Sequence, residues 1–101
     1  MSVIGLPQYG QWAAEGGAAA GPKLRDPAWL QLARILEGRI RSGHYPRDER
    51  LPSEAELMRE FEVGRTTVRL AIAELRTRGL VETVSTRGTY VVKELPAPEA
   101  G

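Results

Sequence analysis

The chain has 101 residues, 42% of them hydrophobic and 27% charged, with a formal net charge of +1 and no cysteine. That suits one small domain with a modest core, and it excludes a disulfide framework or a thiolate metal site, in keeping with a reducing cytoplasm. No apolar run approaches the roughly 18 residues of a membrane span, and the N-terminus lacks the basic start and apolar core of a signal peptide.

Residues 1–26 read as a flexible arm. They include Gly16-Gly17-Ala18-Ala19-Ala20-Gly21-Pro22, which has little to bury, and only two large aromatics, Tyr9 and Trp12. The folded unit is expected over 27–93, and residues 94–101, with Pro96 and Pro98, read as a flexible tail. A first helix is predicted to start at Pro27 with Asp26 as its cap. Trp29, Leu32, Leu36 and Ile40 recur at three- and four-residue spacing, so they share one apolar face, while Gln31, Arg34, Glu37 and Arg41 point away. Gly43 stops this helix. His44 to Asp48 form a loop, and Leu51 before Pro52 suits a short extended segment.

Ser53 and Glu56 have the spacing of a capping box, which starts a second helix with Leu57 and Phe61 facing inward and Met58 partly buried. Glu62 and Val63 make a turn. A third helix follows over about Arg65 to Arg78, with Val68, Ala71, Ile72 and Leu75 as its buried stripe and Gly79 as its stop. The period then changes from helix to strand. Leu80 to Val84 and Thr89 to Val92 are β-rich, with Ser85-Thr86-Arg87-Gly88 as the hairpin loop. The order predicts an α+β fold, a winged helix-turn-helix of three helices and a small antiparallel hairpin.

Charge is unevenly spread along this order. Asp48 to Glu62 holds six acids and two arginines, a net of −4, whereas Val63 to Lys93 holds six bases and two acids, a net of +4. A basic half is what a phosphate backbone selects. In helix-turn-helix docking the start of the recognition helix meets base edges in the major groove. Arg65 and Arg69 are four apart and so share a face, from which either can pair with guanine. Thr66 and Thr67 suit phosphates or a thymine methyl. Amides near Ser53 and Glu54 suit another phosphate, and Arg87 at the hairpin tip suits the adjacent minor groove. Arg76 and Arg78, near the far end of the helix, suit its dipole and a structural role. Arg47 and Arg50 are further phosphate candidates. No catalytic, cofactor-binding or metal-binding residues are identified: Ser53 is accounted for as a cap, and His44 is a lone loop histidine.

The combination Leu51-Pro52-Ser53-Glu54-Ala55-Glu56-Leu57, Arg65-Thr66-Thr67-Val68-Arg69, Leu75 with Gly79-Leu80-Val81, and Arg87-Gly88 resembles the DNA-binding domain of the GntR family of bacterial transcription regulators, and looks closest to its HutC-like branch. The resemblance covers about Trp29 to Val92. It implies sequence-specific binding of double-stranded DNA, with helix 65–78 in the major groove and the wing 85–89 at the minor groove or backbone. It carries DNA contact to Ser53, Glu54, Arg65, Thr66, Thr67, Arg69, Arg87 and Gly88, and implies an inverted-repeat operator with a GT step in each half-site. It also implies a cytoplasmic, nucleoid-associated regulator without enzymatic activity. Three positions depart from the family pattern: Glu62 and Asp48 stand where glycine is usual, and Gly64 where serine or threonine is usual. The family's C-terminal metabolite-binding and dimerisation domain has no room before Gly101, so no small-molecule effector and no cofactor are expected of this chain.

A single unit touches about four or five base pairs, and at roughly 1–3 kcal/mol per mismatched pair that is too little to single out one site among about a million competitors. A weak homodimer on DNA, or a partner protein, is therefore expected, with the exposed part of the Trp29-Leu32-Leu36 face and the two tails as its candidate surfaces. The alternative reading, favoured by the acidic stretch 48–62, is a winged-helix protein-interaction module or an accessory DNA-binding subunit without independent regulation.

Overall fold

A computed structural model of the chain describes residues 25–98. Its elements are α1 (Ala28–Ser42), α2 (Glu54–Phe61), α3 (Arg65–Thr77), β1 (Val81–Val84), a 3₁₀ turn (Ser85–Arg87) and β2 (Gly88–Val91). Three helices and a two-stranded antiparallel hairpin make the winged helix-turn-helix that the periodicity predicts. The expected arm falls on residues 1–24 almost entirely, outside the described residues.

The core lies where α1 and α2 pack on α3 and the hairpin closes the open side. Leu32, Leu36 and Ile40 of α1 meet Leu57 and Phe61 of α2, Val68, Ala71, Ile72 and Leu75 of α3, and Leu80, Val81 and Val91 of the hairpin. The predicted stripe of α3 is the buried one, residue for residue. Met58 is partly buried against the same core.

Two expectations for α1 are corrected. Pro27, not Asp26, occupies the cap position, with no side-chain cap bond; Asp26 instead offers its carbonyl to Gln31 Nε2 at 2.8 Å. Gln31 and Glu37, expected to face water, are buried. A helical stripe read in isolation assumes one covered face, and α1 is covered further round. The loop after α1 folds back so that Tyr45 is buried, and Arg41 Nη1 donates to the Pro96 carbonyl at 2.8 Å. Within the segment expected as a tail, Leu95 thus packs on the core and Pro96 is held by Arg41, while Glu94, Ala97 and Pro98 are exposed.

Glu37, Arg39, Arg41 and Arg78 are paired, while Arg34 Nε of α1 is buried without a hydrogen-bond partner among the described residues. Glu37 accepts from Arg41 Nε at 3.0 Å and from Arg78 Nη1 at 3.1 Å, and Arg78 Nε also reaches Glu74 at 2.7 Å. Arg78 therefore has the structural role its position suggested. Arg39 Nη1 pairs with Glu60 at 2.8 Å and donates to the Tyr45 hydroxyl at 2.8 Å, with its guanidinium over the Phe61 ring. Burial on its own lowers the pKa of Arg39, but the Tyr45 oxygen and the Glu60 carboxylate bonded to its guanidinium outweigh it and raise the net value. These pairs tie α1 to α2, to α3 and to the C-terminal segment.

Gly43 ends α1 at φ 88°, a conformation glycine adopts without steric cost. The left-handed position of the turn between α2 and α3 is not a glycine: Glu62 takes φ 58°, and in the loop before α2 Asp48 takes φ 66°. These are two of the three departures from the family pattern. At both positions a Cβ-bearing residue sits in the left-handed region, at a cost of order 1–2 kcal/mol, less for aspartate, whose short side chain can bond locally. Gly64, the third, caps α3 in an extended conformation with no side-chain bond.

The hairpin register is Val81↔Val91, Glu82↔Tyr90, Thr83↔Thr89 and Val84↔Gly88, so β2 starts one residue earlier than predicted. The segment before α2 runs along the other edge of β2. Asp48 N–H donates to Val91 O at 2.9 Å, Val91 N–H to Glu49 O at 2.9 Å, and Leu51 N–H to Thr89 O at 2.8 Å, with Arg50 bridging Tyr90. The extended segment expected at Leu51 is thereby what fixes the wing to the start of α2.

That start is the predicted capping box. The Glu56 N–H donates to Ser53 Oγ at 3.1 Å, and the Ser53 N–H donates to Glu56 Oε1 at 2.8 Å. The Ser53 backbone bond, then its hydroxyl, holds the Glu56 carboxyl below its ordinary 4.5. A lowered folded-state pKa contributes stability above the ordinary value, and this is lost as pH falls through the lowered one. The protection factor of the Ser53 amide, its exchange rate corrected for the intrinsic pH dependence, is therefore expected to fall as pH drops below 4.5 in the wild type, and to lack this step in Glu56→Gln. Titration of Glu56 at its ordinary value in an NMR pH series would sink the expectation.

Candidate nucleic-acid interface

The α2–turn–α3 unit presents the first turn of α3 beside the first turn of α2. α3 begins with Arg65 because Gly64 leaves the helical region there, and 3.6 residues per turn put Arg65 and Arg69 on one edge. Both arginines are mostly exposed, at 62% and 64% of their side chains, and both point to the same carboxylate. Arg69 Nε donates to Glu54 Oε2 at 3.1 Å, and Arg65 Nε lies 3.8 Å from Glu54 Oε1. Their acidic partner is Glu54 of α2 rather than Glu62, the neighbour in sequence, because the turn brings the two helix starts together. Such exposed pairs contribute about 0–1 kcal/mol, so they orient the guanidinium groups and are readily exchanged for another anion.

Thr66 is exposed and Thr67 half-buried on the first turn of α3. Ser53 Oγ accepts from the Glu56 amide and keeps its own O–H to donate, beside the first-turn backbone amides of α2. A cleft of about 300 Å³ lies between the start of α2, α3 and the wing, lined among others by Arg50, Ser53, Glu54, Arg76, Thr83 and Gly88. Ser53, Glu54 and Gly88 therefore meet at one place, and Arg65 and Arg69 join it through Glu54. Gly88 has φ 118°, and a Cβ there would lie 2.9 Å from Arg50 Nε. The glycine both permits the strand entry and leaves room for the Arg50 side chain to lie across the wing.

Arg87 lies apart from this cleft. Side chains alternate across the hairpin, so Thr83 and Thr89 face the helices while Glu82 and Tyr90 face outward. Arg87 shares that outward side with Asp48, Glu82, Val84 and Tyr90. It is exposed on the 3₁₀ turn and has no ion-pair partner among the described residues.

Two further cations belong to this surface: Arg50, a phosphate candidate from sequence, and Arg76. Arg50 reaches it from the edge segment. Arg76, assigned only a helix-end role, donates through Nη2 to Thr83 Oγ1 at 2.9 Å and so ties α3 to the wing. The signal for Arg76 was present: eleven residues is close to three helical turns, which returns Arg76 to the face of Arg65. Arg50 is a phosphate candidate from sequence, and its placement here depends on pairing with Tyr90. The described residues contain no group of three or more His, Cys, Asp or Glu side chains arranged to hold a metal ion, and no helix among them is long and apolar enough to cross a membrane.

Known proteins carry the same arrangement. The family model for bacterial regulatory proteins of the gntR family matches residues 29–91. The arabinose metabolism transcriptional repressor of Geobacillus stearothermophilus is 36% identical over 70 residues, covering 69% of this chain and 19% of the repressor. The HTH-type transcriptional repressor NagR of Bacillus subtilis is 37% identical over 67 residues, covering 66% of this chain and 28% of NagR. The chain thus spans less than a third of these relatives' length. Among solved structures, the AraR DNA-binding domain in complex with operator ORR3 superposes with a TM-score of 0.65 at 34% identity, covering 72% of this chain and 88% of that one. The same domain on operator ORE1 also gives a TM-score of 0.65 at 34% identity, covering 75% and 92%. The chain belongs to the GntR family of bacterial regulatory proteins.

Proposed function

We propose that this chain is a DNA-binding domain that reads double-stranded DNA as a transcription regulator, with α3 in the major groove. The observation that carries the reading is the paired placement of Arg65 and Arg69 at the open end of α3, held by a single exposed carboxylate. An exposed guanidinium on that edge has the fork geometry that fits guanine O6 and N7. Thr66, Thr67 and the first-turn amides at Ser53 and Glu54 are assigned to phosphates. Arg87 and Gly88 at the wing are assigned to the adjacent minor groove or backbone. Solved relatives superposing on this fold are bound to operator DNA, which supports the same use here.

The same reading includes an inverted-repeat operator, engaged by a weak homodimer or with a partner protein, since one unit specifies too few base pairs. It places the protein in the cytoplasm, where DNA is reached, without catalytic activity, cofactor or small-molecule effector acting on this chain. The motif set of α2 and α3 supports the HutC-like branch of the family. A protein-interaction module is the second reading, and the acidic Asp48 to Glu62 stretch supports it.

Fluorescence anisotropy with random-sequence and GT/AC-palindrome duplexes across a salt series tests the proposal. Affinity is expected to fall steeply with salt, with a log–log slope of about −0.9 per neutralised phosphate, and to favour the palindrome. No binding at about 50 mM salt, where phosphate contacts are strong, would reject DNA reading by this chain and favour the interaction module.

A further inference from the structure

The outward face of α3 carries one side chain that neither packing nor charge accounts for. Leu70 is 45% exposed, and among the described residues only Val84 joins it as an exposed large hydrophobic. A lone exposed leucine is ordinary on a protein surface, so its position has to decide. The buried stripe of α3 is Val68, Ala71, Ile72 and Leu75. At 100° per residue, Leu70 lies roughly opposite the centre of that stripe, on a line with Thr66 one turn before it and Ala73 one turn after. Arg65 and Arg69 lie to one side, turned toward Glu54 of α2. The outermost line of the first two turns is therefore methyl-bearing, Thr66 then Leu70, beside an edge of guanidinium groups.

We propose that Leu70 is a specificity-determining residue that reads the C5-methyl of a thymine in the major groove. The inference rests on the proposed docking of α3, and it adds a base identity to it. The thymine methyl is the apolar group that the bases present in that groove, and an aliphatic side chain is what recognises it. Arginine pairs on one edge read guanine, and the apolar line next to them reads a neighbouring thymine. Burying one methyl group changes affinity by about four-fold.

The test uses the full chain. A preferred duplex is selected from a random-sequence library with the wild type, and each thymine in it is then replaced singly by deoxyuridine, which removes only the methyl. One position per half-site is expected to lose about four-fold in affinity for the wild type and to lose nothing for Leu70→Ala. Leu70→Met, which keeps an apolar tip, is expected to retain the dependence. Unchanged circular-dichroism melting of the variants shows that the exposed site left the fold intact, and the deoxyuridine scan on the wild type stands without any variant. If the wild type selects a sequence but no single deoxyuridine weakens it by more than two-fold, or Leu70→Ala shows the same loss, the Leu70 assignment is overturned while DNA reading stands. If no duplex is bound or enriched at all, the docking of α3 fails and this assignment with it.

Discussion

Glu37→Ala is expected to cost the folded domain about 3 kcal/mol, the low end of the range for removing one partner from a buried ion pair. The Glu37 side chain is only 3% exposed and is shared by two arginines that are themselves 8% and 15% exposed. Removing it leaves two desolvated guanidinium groups facing each other across a small void. Neither is wholly abandoned: Arg41 keeps the Pro96 carbonyl and Arg78 keeps Glu74. That is why the low end of the range applies. At roughly 4–8 °C per kcal/mol for a domain of this size, the melting temperature should fall by more than 10 °C. Glu37→Gln keeps shape and an acceptor while losing the charge, so it should fall between wild type and alanine. Urea and thermal denaturation followed by circular dichroism measure both. A loss below about 1 kcal/mol for the alanine variant would show that the carboxylate is a bystander, stabilising no more than an exposed pair does.

Arg65→Ala and Arg69→Ala should behave in the opposite way, with little effect on stability and a large one on DNA. Both side chains are mostly exposed and their only ion-pair partner among the described residues is the exposed Glu54, so melting should stay near wild type. A bidentate arginine–guanine contact discriminates by about 1–3 kcal/mol, which is about five- to 150-fold in affinity. Whichever arginine makes the base contact should lose that much on the preferred duplex and little on random sequence, flattening the preference. One that contacts only phosphate should weaken all duplexes alike and reduce the salt slope by about one. Anisotropy on both duplex types separates the two cases. If both variants bind as the wild type does, this edge of α3 does not read DNA.

Much of this fold was legible in one dimension because its signals are local. The capping box at Ser53 and Glu56, the stripe Val68-Ala71-Ile72-Leu75, the stops at Gly43 and Gly79 and the β-rich hairpin arise from contacts within a few residues, and each was placed to within a residue or two. The candidate surface was legible for the same reason. Helical spacing alone puts Arg65 and Arg69 on one edge, and turn chemistry alone puts Arg87 at a hairpin tip.

What only the tertiary structure decided involves residues far apart in the chain. Glu37 looked like a solvated position until the end of α3 and the segment after the hairpin brought Arg78 and Pro96 to α1. Glu54 was a candidate for its first-turn amide, and the fold made its carboxylate the shared partner of two arginines fifteen or fewer residues away. Arg50 was a phosphate candidate from sequence, but its position across the wing comes from its backbone pairing with Tyr90 and the space left by Gly88. Periodicity states which face of an element is apolar, and so it locates the core. It carries no information on how far round a helix its neighbours reach, or on which distant charge meets which, because those depend on packing that no local pattern encodes.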